Sequence, residues 1–220
     1  MSRHVFLTVL LGALVLLVVG LLIPAPTPDE QPQRLPWQVR PVPDGLSRVF
    51  GITLGETPLG EAEAAFDEEA KVSLFVNEQG ERAVEAYFDV LNLEGLKAKM
   101  VLTVGVDTAT LDGMYDRGLR IATLGSGSKR VTLHPDDLDR ARRTAITAIT
   151  YMPYIDLKPE LVAKRFGEPA RRIEEAETGI RHWLYPEMGL NIALEGEGGQ
   201  DVLQYVPPKD FEKLVRPLEP

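Results

Sequence analysis

The sequence predicts an α+β protein with an N-terminal transmembrane helix followed by two helix-plus-antiparallel-sheet units. Three observations carry that prediction. Residues 5–23, VFLTVLLGALVLLVVGLLI, hold no charge and are almost wholly aliphatic. From 84 to 106, apolar and polar side chains alternate with the period of two of half-buried strands. Between such runs lie shorter stretches whose apolar residues recur every three or four positions, as on one face of a helix.

A bilayer core about 30 Å thick needs roughly 20 apolar residues at a helical rise, and the run that begins at Val5 and ends at Ile23 meets that length. Pro24, Pro26 and Pro28 follow at once, so Ala25 is a poor cleavage site. With no cysteine in the chain, a lipid-anchored start is not expected, and an uncleaved signal anchor is. Arg3 and His4 precede the run, and Asp29 and Glu30 follow it. Positive flanks stay cytoplasmic, which places the N-terminus inside and the bulk of the chain outside. In a Gram-negative source this is an inner-membrane protein with a periplasmic body.

Composition narrows the function classes. With 24 Lys and Arg against 33 Asp and Glu, the net charge is −9. That balance disfavours nucleic acid, whose binding needs clustered cations, and broad contact with an anionic membrane face. Zero cysteine removes disulfides, thiol catalysis and Cys-ligated metals. Hydrophobic residues at 44% are enough for a core.

Four segments are expected: the anchor at 1–23, a proline-rich linker at 24–45, a first α+β unit at 46–153 and a second at 154–220. The linker holds seven prolines (24, 26, 28, 32, 36, 41, 43) and is expected to be extended. Its Trp37 and Arg40 rest on lipid headgroups or on the folded body. In the first unit, Thr57 and Pro58 mark a helix start, with Leu59, Ala62, Phe66 and Ala70 at helical spacing. A strand over 71–76 follows. Then come the two clearest strands, with Val84, Ala86, Phe88 and Val90 facing one way and Leu96, Ala98, Met100, Leu102, Val104 and Val106 alternating after a turn at 92–95. Glu85 and Asp89 are expected opposite Lys97 and Lys99. Asp107 caps a short helix over 108–117, and strands at 119–124 and 129–133 flank a Gly-Ser turn. The strongest helix pattern runs from Pro135 to Met152, with Leu138, Ala141, Ala145, Ile149 and Met152 as its apolar stripe. The second unit reads as a helix with Leu161, Val162 and Phe166, strands at 171–175, 180–185, 190–194 and 201–206, and a last helix over 209–215.

The two units echo each other. Ile52-Thr53-Leu54 leads to a helix ending at Phe66 and a run of strands; Ile155-Asp156-Leu157 leads to a helix ending at Phe166 and another run. A helix closing on Phe166-Gly167-Glu168-Pro169, then a strand bearing Trp183 and Tyr185, resembles the SmpA/OmlA outer-membrane-assembly lipoproteins and the related β-lactamase-inhibitor-protein-like modules. The resemblance covers roughly 156–206 and more faintly 52–106. It implies a small envelope module that binds proteins and has no catalysis. The chain departs from that family in lacking a lipid-bearing cysteine and in carrying a transmembrane anchor.

No motif identifies a reaction, and no catalytic residue is assigned. The histidines (His4, His134, His182) form no metal-ligand spacing, so no metal or cofactor is expected. A hydrolase would need His134 or His182 with Ser73, Ser126 or Ser128, but no G-x-S-x-G elbow exists. The run Ser126, Gly127, Ser128, Lys129, Arg130 could cradle an anion through backbone amides. The carboxylate pairs Asp67-Glu68-Glu69, Asp136-Asp137 and Glu174-Glu175 sit at helix ends and turns, where charge is cheap to solvate. Arg140 and Arg143 form a cationic stripe on which a partner could dock, and Trp183 with Tyr185 are core residues or an aromatic binding patch. The expected function is a membrane-anchored envelope module that binds another protein. The alternatives are an envelope hydrolase and a small-ligand or lipid carrier with its cavity between sheet and helix.

Overall fold

The computed structural model describes residues 34–196 and 198–218. The expected anchor over 5–23 lies outside them, and among the described residues no helix is long and apolar enough to cross a membrane.

Folded structure begins before Leu46. Three short strands, β1 (Arg40–Val42), β2 (Leu46–Val49) and β3 (Ile52–Thr53), form a small sheet from residues at the end of the expected linker onward. The β2–β3 turn is Phe50-Gly51, both with positive φ (54° and 83°), as a two-residue type I′ turn requires. Phe50 holds this conformation while 1% exposed. Its ring lies 5.1 Å from that of Tyr151 and 5.6 Å from that of Tyr205, and these contacts offset the backbone strain.

The alternating runs form one antiparallel ten-stranded sheet. Its strands are β4 (Lys71–Val76), β5 (Arg82–Leu93), β6 (Leu96–Val104), β7 (Arg120–Thr123), β8 (Lys129–Thr132), β9 (Ile146–Pro153), β10 (Arg171–Glu174), β11 (Arg181–Tyr185), β12 (Leu190–Leu194) and β13 (Val202–Tyr205). Their order is β10-β11-β12-β13-β9-β6-β5-β4-β8-β7. Strands from both expected units therefore share one sheet, and residues 33–220 form one compact body. The helices are α1 (Leu59–Phe66), α2 (Thr108–Asp116), α3 (Pro135–Arg142), α4 (Pro159–Phe166) and α5 (Phe211–Val215).

Two expectations are corrected. The helix over 135–152 stops at Arg142, where the Thr144 hydroxyl donates to the Arg140 carbonyl at 2.9 Å. The rest of that stretch is β9, rich in β-branched residues. Against β6 its register shifts between Thr103 and Val104, so that Val104 faces Ile146 and Thr103 faces Ala148. This bulge inserts a residue and moves the inward positions to Ile146, Ile149, Tyr151 and Pro153, a spacing that imitates a helical stripe. The second correction concerns the β5–β6 turn, which is only Glu94-Gly95 (φ 52° and 88°). Glu85 faces Thr103 and Lys97 faces Asn92, so the expected ion pairs across these strands do not form.

The core follows from the alternation. One large cluster joins the inward faces of β4–β6, β9 and β11–β13 to Leu59, Ala62 and Phe66 of α1 and Val162 and Phe166 of α4. A smaller one sets Leu184 of β11 against Phe211 and Val215 of α5. Ion pairs between a buried carboxylate and a partly exposed arginine tie the helices together. Glu63 of α1 accepts from Arg142 Nε at 3.1 Å and from the Ala70 amide at 3.0 Å, and Asp137 of α3 accepts from two Arg117 nitrogens at 2.6 and 3.2 Å. Gly189 has no substitute: a Cβ there would stand 1.9 Å from the Val206 carbonyl oxygen, because the Val206 amide donates back to Gly189 at 2.9 Å.

Candidate functional site

An apolar cavity of about 440 Å³ lies beside α4, within the range of roughly 300–1,000 Å³ usual for small-ligand sites. Leu161, Val162 and Phe166 of α4 form one wall, and Tyr151, Pro153 and Leu203 of β9 and β13 form another. Leu96 and Lys97, from the start of β6, and the connector residues Tyr154, Ile155 and Leu157 complete it, with Pro36 and Trp37 from the N-terminal side.

Local chemistry explains why these elements meet. In α4, Pro159 sits in the first turn and Lys164 and Arg165 in the last, where proline fits the free amide position and cations suit the macrodipole. Val162 and Phe166, four apart, turn inward, leaving Leu161 at the cavity mouth, 36% exposed. The connector before α4 is held by Asp201, which is 5% exposed. Its carboxylate accepts from the Leu157 amide at 2.6 Å and the Glu195 amide at 3.1 Å. The Gln200 side chain donates to the Pro153 carbonyl at 2.9 Å, fixing the end of β9.

Trp37 is placed by contacts far away in sequence. The buried Tyr205 hydroxyl donates to the Pro36 carbonyl at 2.9 Å. Leu35 and Gln38 close a turn, with the Leu35 amide donating to Gln38 Oε1 and the Gln38 amide to the Leu35 carbonyl, both at 3.0 Å. Arg165 then lies over the indole, its guanidinium carbon 4.4 Å from the ring centre, in cation–π range.

The polar groups at the cavity are few and of one kind. Among the described residues, Lys97 and Arg165 are the charged ones that line it, and no Asp or Glu does. Both are exposed, and neither makes an ion pair among the described residues. Lys99 stands nearby, 6.0 Å from the centre of the Tyr154 ring. Tyr151 is 2% exposed, and its hydroxyl has no hydrogen-bond partner among the described residues. Burial pushes its pKa up to about 12, so it stays a neutral donor at physiological pH. The mouth is flanked by Tyr154 and Ile155, 49% and 53% exposed, which extend the apolar surface outward.

The residues singled out from the sequence lie elsewhere. Trp183 and Tyr185 share one face of β11 but are buried, which excludes an exposed patch. Trp183 carries Arg172 over its ring at 4.5 Å. The Tyr185 hydroxyl donates to the Gly167 carbonyl at 3.0 Å, and its ring lies 6.0 Å from that of Phe166. Tyr185 therefore supports the end of α4 from behind. Arg140 and Arg143 are exposed at the C-terminal end of α3, while Arg142 between them turns inward to Glu63. Ser126 and Ser128 belong to the β7–β8 turn, where the Gly127 amide donates to the Leu124 carbonyl at 3.0 Å and is thereby committed to the turn. Lys129 and Arg130 are successive residues of β8, facing Val76 and Phe75 across the ladder, so alternation sends their side chains to opposite faces.

Compared with protein-family models, curated proteins and solved structures, the chain matches none of them.

Neither described histidine lines the cavity. His134 caps α3, its Nδ1 accepting from the Asp136 amide at 3.3 Å. His182 is buried between Glu175 Oε1 at 2.9 Å from Nε2 and Asn191 Oδ1 at 3.2 Å from Nδ1. The Asn191 amide in turn donates to Gln204 Oε1 at 2.9 Å. Hydrogen bonds from the Thr178 hydroxyl and then from His182 hold the Glu175 carboxyl below the usual carboxylate range. Both imidazole nitrogens are occupied by amide and carboxylate oxygens, and among the described residues no serine hydroxyl hydrogen-bonds to either. The arrangement satisfies a buried polar chain across β11, β12 and β13 rather than activating a nucleophile. Among the described residues no group of His, Asp and Glu could hold a metal ion.

Sequence reasoning missed Trp37 and Arg165 as a pair, Tyr151 as an unpartnered donor, and the exposed run Tyr154-Ile155. That run, two large apolar residues between a strand and a helix, is the one local signal that could have pointed to the cavity.

Proposed function

We propose that the chain is a single-pass membrane protein, anchored by the apolar run from Val5 to Ile23 with its N-terminus in the cytoplasm, whose α+β body binds an apolar ligand in the cavity beside Trp37. In a Gram-negative source the anchor sits in the inner membrane and the body in the periplasm. The observation that carries the binding reading is the cavity itself: about 440 Å³, lined almost wholly by apolar side chains, open at Tyr154, Ile155 and Leu161. Soluble bodies seldom leave such surface without a use. Pro36 follows Ile23 by 13 residues, a chain that spans at most about 45 Å when fully extended, so a tethered body keeps its cavity within reach of one membrane.

The test uses the tryptophan at the site. The full chain in phosphatidylcholine vesicles is titrated with a brominated, uncharged monoacylglycerol. Quenching is expected from Trp37, is removed by Trp37→Phe and is weakened by Leu161→Glu at the partly exposed mouth. Quenching that survives Trp37→Phe and ignores Leu161→Glu would contradict the reading.

A second reading has its own observation. Arg140 and Arg143 are exposed, and neither makes an ion pair among the described residues, which supports docking of an acidic face of an envelope protein on the end of α3. Arg140→Glu with Arg143→Glu should then abolish capture of that partner; undiminished capture removes this surface from the account.

A further inference from the structure

The geometry points to a ligand class for the cavity: an acyl chain that ends in an anionic group, either its own carboxylate, as in a fatty acid, or a head joined through an ester, as in an anionic lysophospholipid. This rests on the cavity reading above and sharpens it. Three independent features of the lining select that chemistry.

The first is shape and surface. A volume of about 440 Å³ lies toward the lower end of the usual ligand range, and its described walls are mostly Leu, Val, Ile, Phe and Pro side chains with the rings of Trp37, Tyr151 and Tyr154. These offer dispersion contacts to a flexible hydrocarbon and no pattern of donors for a sugar or a nucleotide. The second is charge. The chain carries a net −9, yet among the described residues the lining holds two cations, Lys97 and Arg165, and no carboxylate. Neither cation is neutralised by an ion pair among the described residues. Arg165 is braced on Trp37 at 4.4 Å, which orders the guanidinium without consuming its donors, so it is free to meet an anion in a bidentate way. The third is the Tyr151 hydroxyl. The side chain lines the cavity, and its hydroxyl, which makes no hydrogen bond among the described residues, opens on that space rather than being sealed in the core, so it can donate to an occupant. A carboxyl or ester oxygen is the acceptor that an acyl amphiphile supplies.

The occupant is therefore held by its tail on α4, by its carbonyl region at Tyr151 and by its head at Lys97 and Arg165. Exposed Tyr154 and Ile155 flank the mouth and give the tail an apolar path inward. An acyl chain alone uses only the first of these contacts. This separates the inference from the broader reading.

The full chain in phosphatidylcholine vesicles is exposed to three photoactivatable probes with the same acyl chain: a fatty acid, a lysophosphatidylglycerol and an uncharged monoacylglycerol. Adducts are then mapped by peptide mass spectrometry. Both anionic probes are expected to label cavity residues about fivefold more than the neutral one, the scale of one favourable half-exposed charge contact. Lys97→Glu with Arg165→Glu should bring the three to parity, and Tyr151→Phe should lower labelling by all three while leaving the anionic preference intact. Labelling by the fatty acid alone assigns the site to free acids, and labelling by lysophosphatidylglycerol alone assigns it to a phosphate head. Equal cavity labelling by the neutral and anionic probes in the unmutated chain overturns the inference and leaves the apolar-ligand reading standing. Labelling confined to residues outside the cavity overturns both.

Discussion

Arg165 and Trp37 are joined across most of the chain: the guanidinium carbon of α4's last turn lies 4.4 Å from the centre of an indole that precedes the first strand. This contact, with the Tyr205 to Pro36 hydrogen bond, makes the N-terminal entry of the body part of the cavity wall. A double-mutant cycle on Trp37→Leu and Arg165→Gln, read by urea unfolding, should give a coupling of about 0.5–1 kcal/mol. Additive effects would show that the two side chains are adjacent without supporting each other.

Asp201 holds the wall from the other side. Its carboxylate serves the Leu157 and Glu195 amides together, so Asp201→Ala strands two donors in a buried site. A loss of about 1–3 kcal/mol is expected, with weaker quenching of Trp37 by the brominated probe because α4 loses its lead-in. Asp201→Asn keeps acceptor capacity and should recover part of both. A variant that loses stability while binding as before would limit Asp201 to a scaffolding role.

The pH dependence of stability should fall on the alkaline side. Burial raises the Tyr151 and Tyr185 hydroxyls from 10 to about 12, and Tyr205 well above 10. The unfolded chain gives up these protons near pH 10 while the folded chain keeps them. The stabilisation is thus complete below pH 10 and is lost as pH rises towards 12. Titration of tyrosinate absorbance should show late ionisation coincident with unfolding, and Tyr151→Phe should make stability less steep in this window. Early ionisation of all tyrosines in the folded chain would contradict the burial of these rings.

Topology is open to a clean labelling experiment because the chain has no cysteine. In intact cells, Ser126→Cys in the exposed β7–β8 turn should react with a membrane-impermeant maleimide, and Ser2→Cys should react only after the membrane is permeabilised. The opposite pattern would reverse the proposed orientation, and labelling of both would remove the anchor.

Much of the fold was legible locally. The strand over 71–76, the helix after Asp107 and the ladder of short strands from 171 to 205 each carry their own period and their own turn residues, and the structure places them at or within two residues of the expected bounds. Ile146 to Pro153 was not legible as a strand, because the bulge opposite Thr103 and Val104 breaks the period of two at the position where a helical stripe can be read instead. The site was harder for a different reason. Trp37, Leu96, Tyr151, Leu161 and Leu203 come from five separate segments, and no short-range pattern says that they meet. Trp183 and Tyr185 show the converse: their shared face was visible, but that α4 covers that face while α5 covers the other is tertiary information.

The central claim is that the space beside α4 holds an acyl ligand. Anomalous scattering from crystals of the full chain grown with a fatty acid brominated on its chain tests it most directly. Bromine is expected within the cavity, among Tyr151, Leu161 and Val162, with the carboxylate toward Lys97 and Arg165. Bromine bound only outside this space, with the cavity unoccupied at saturating ligand, would contradict it.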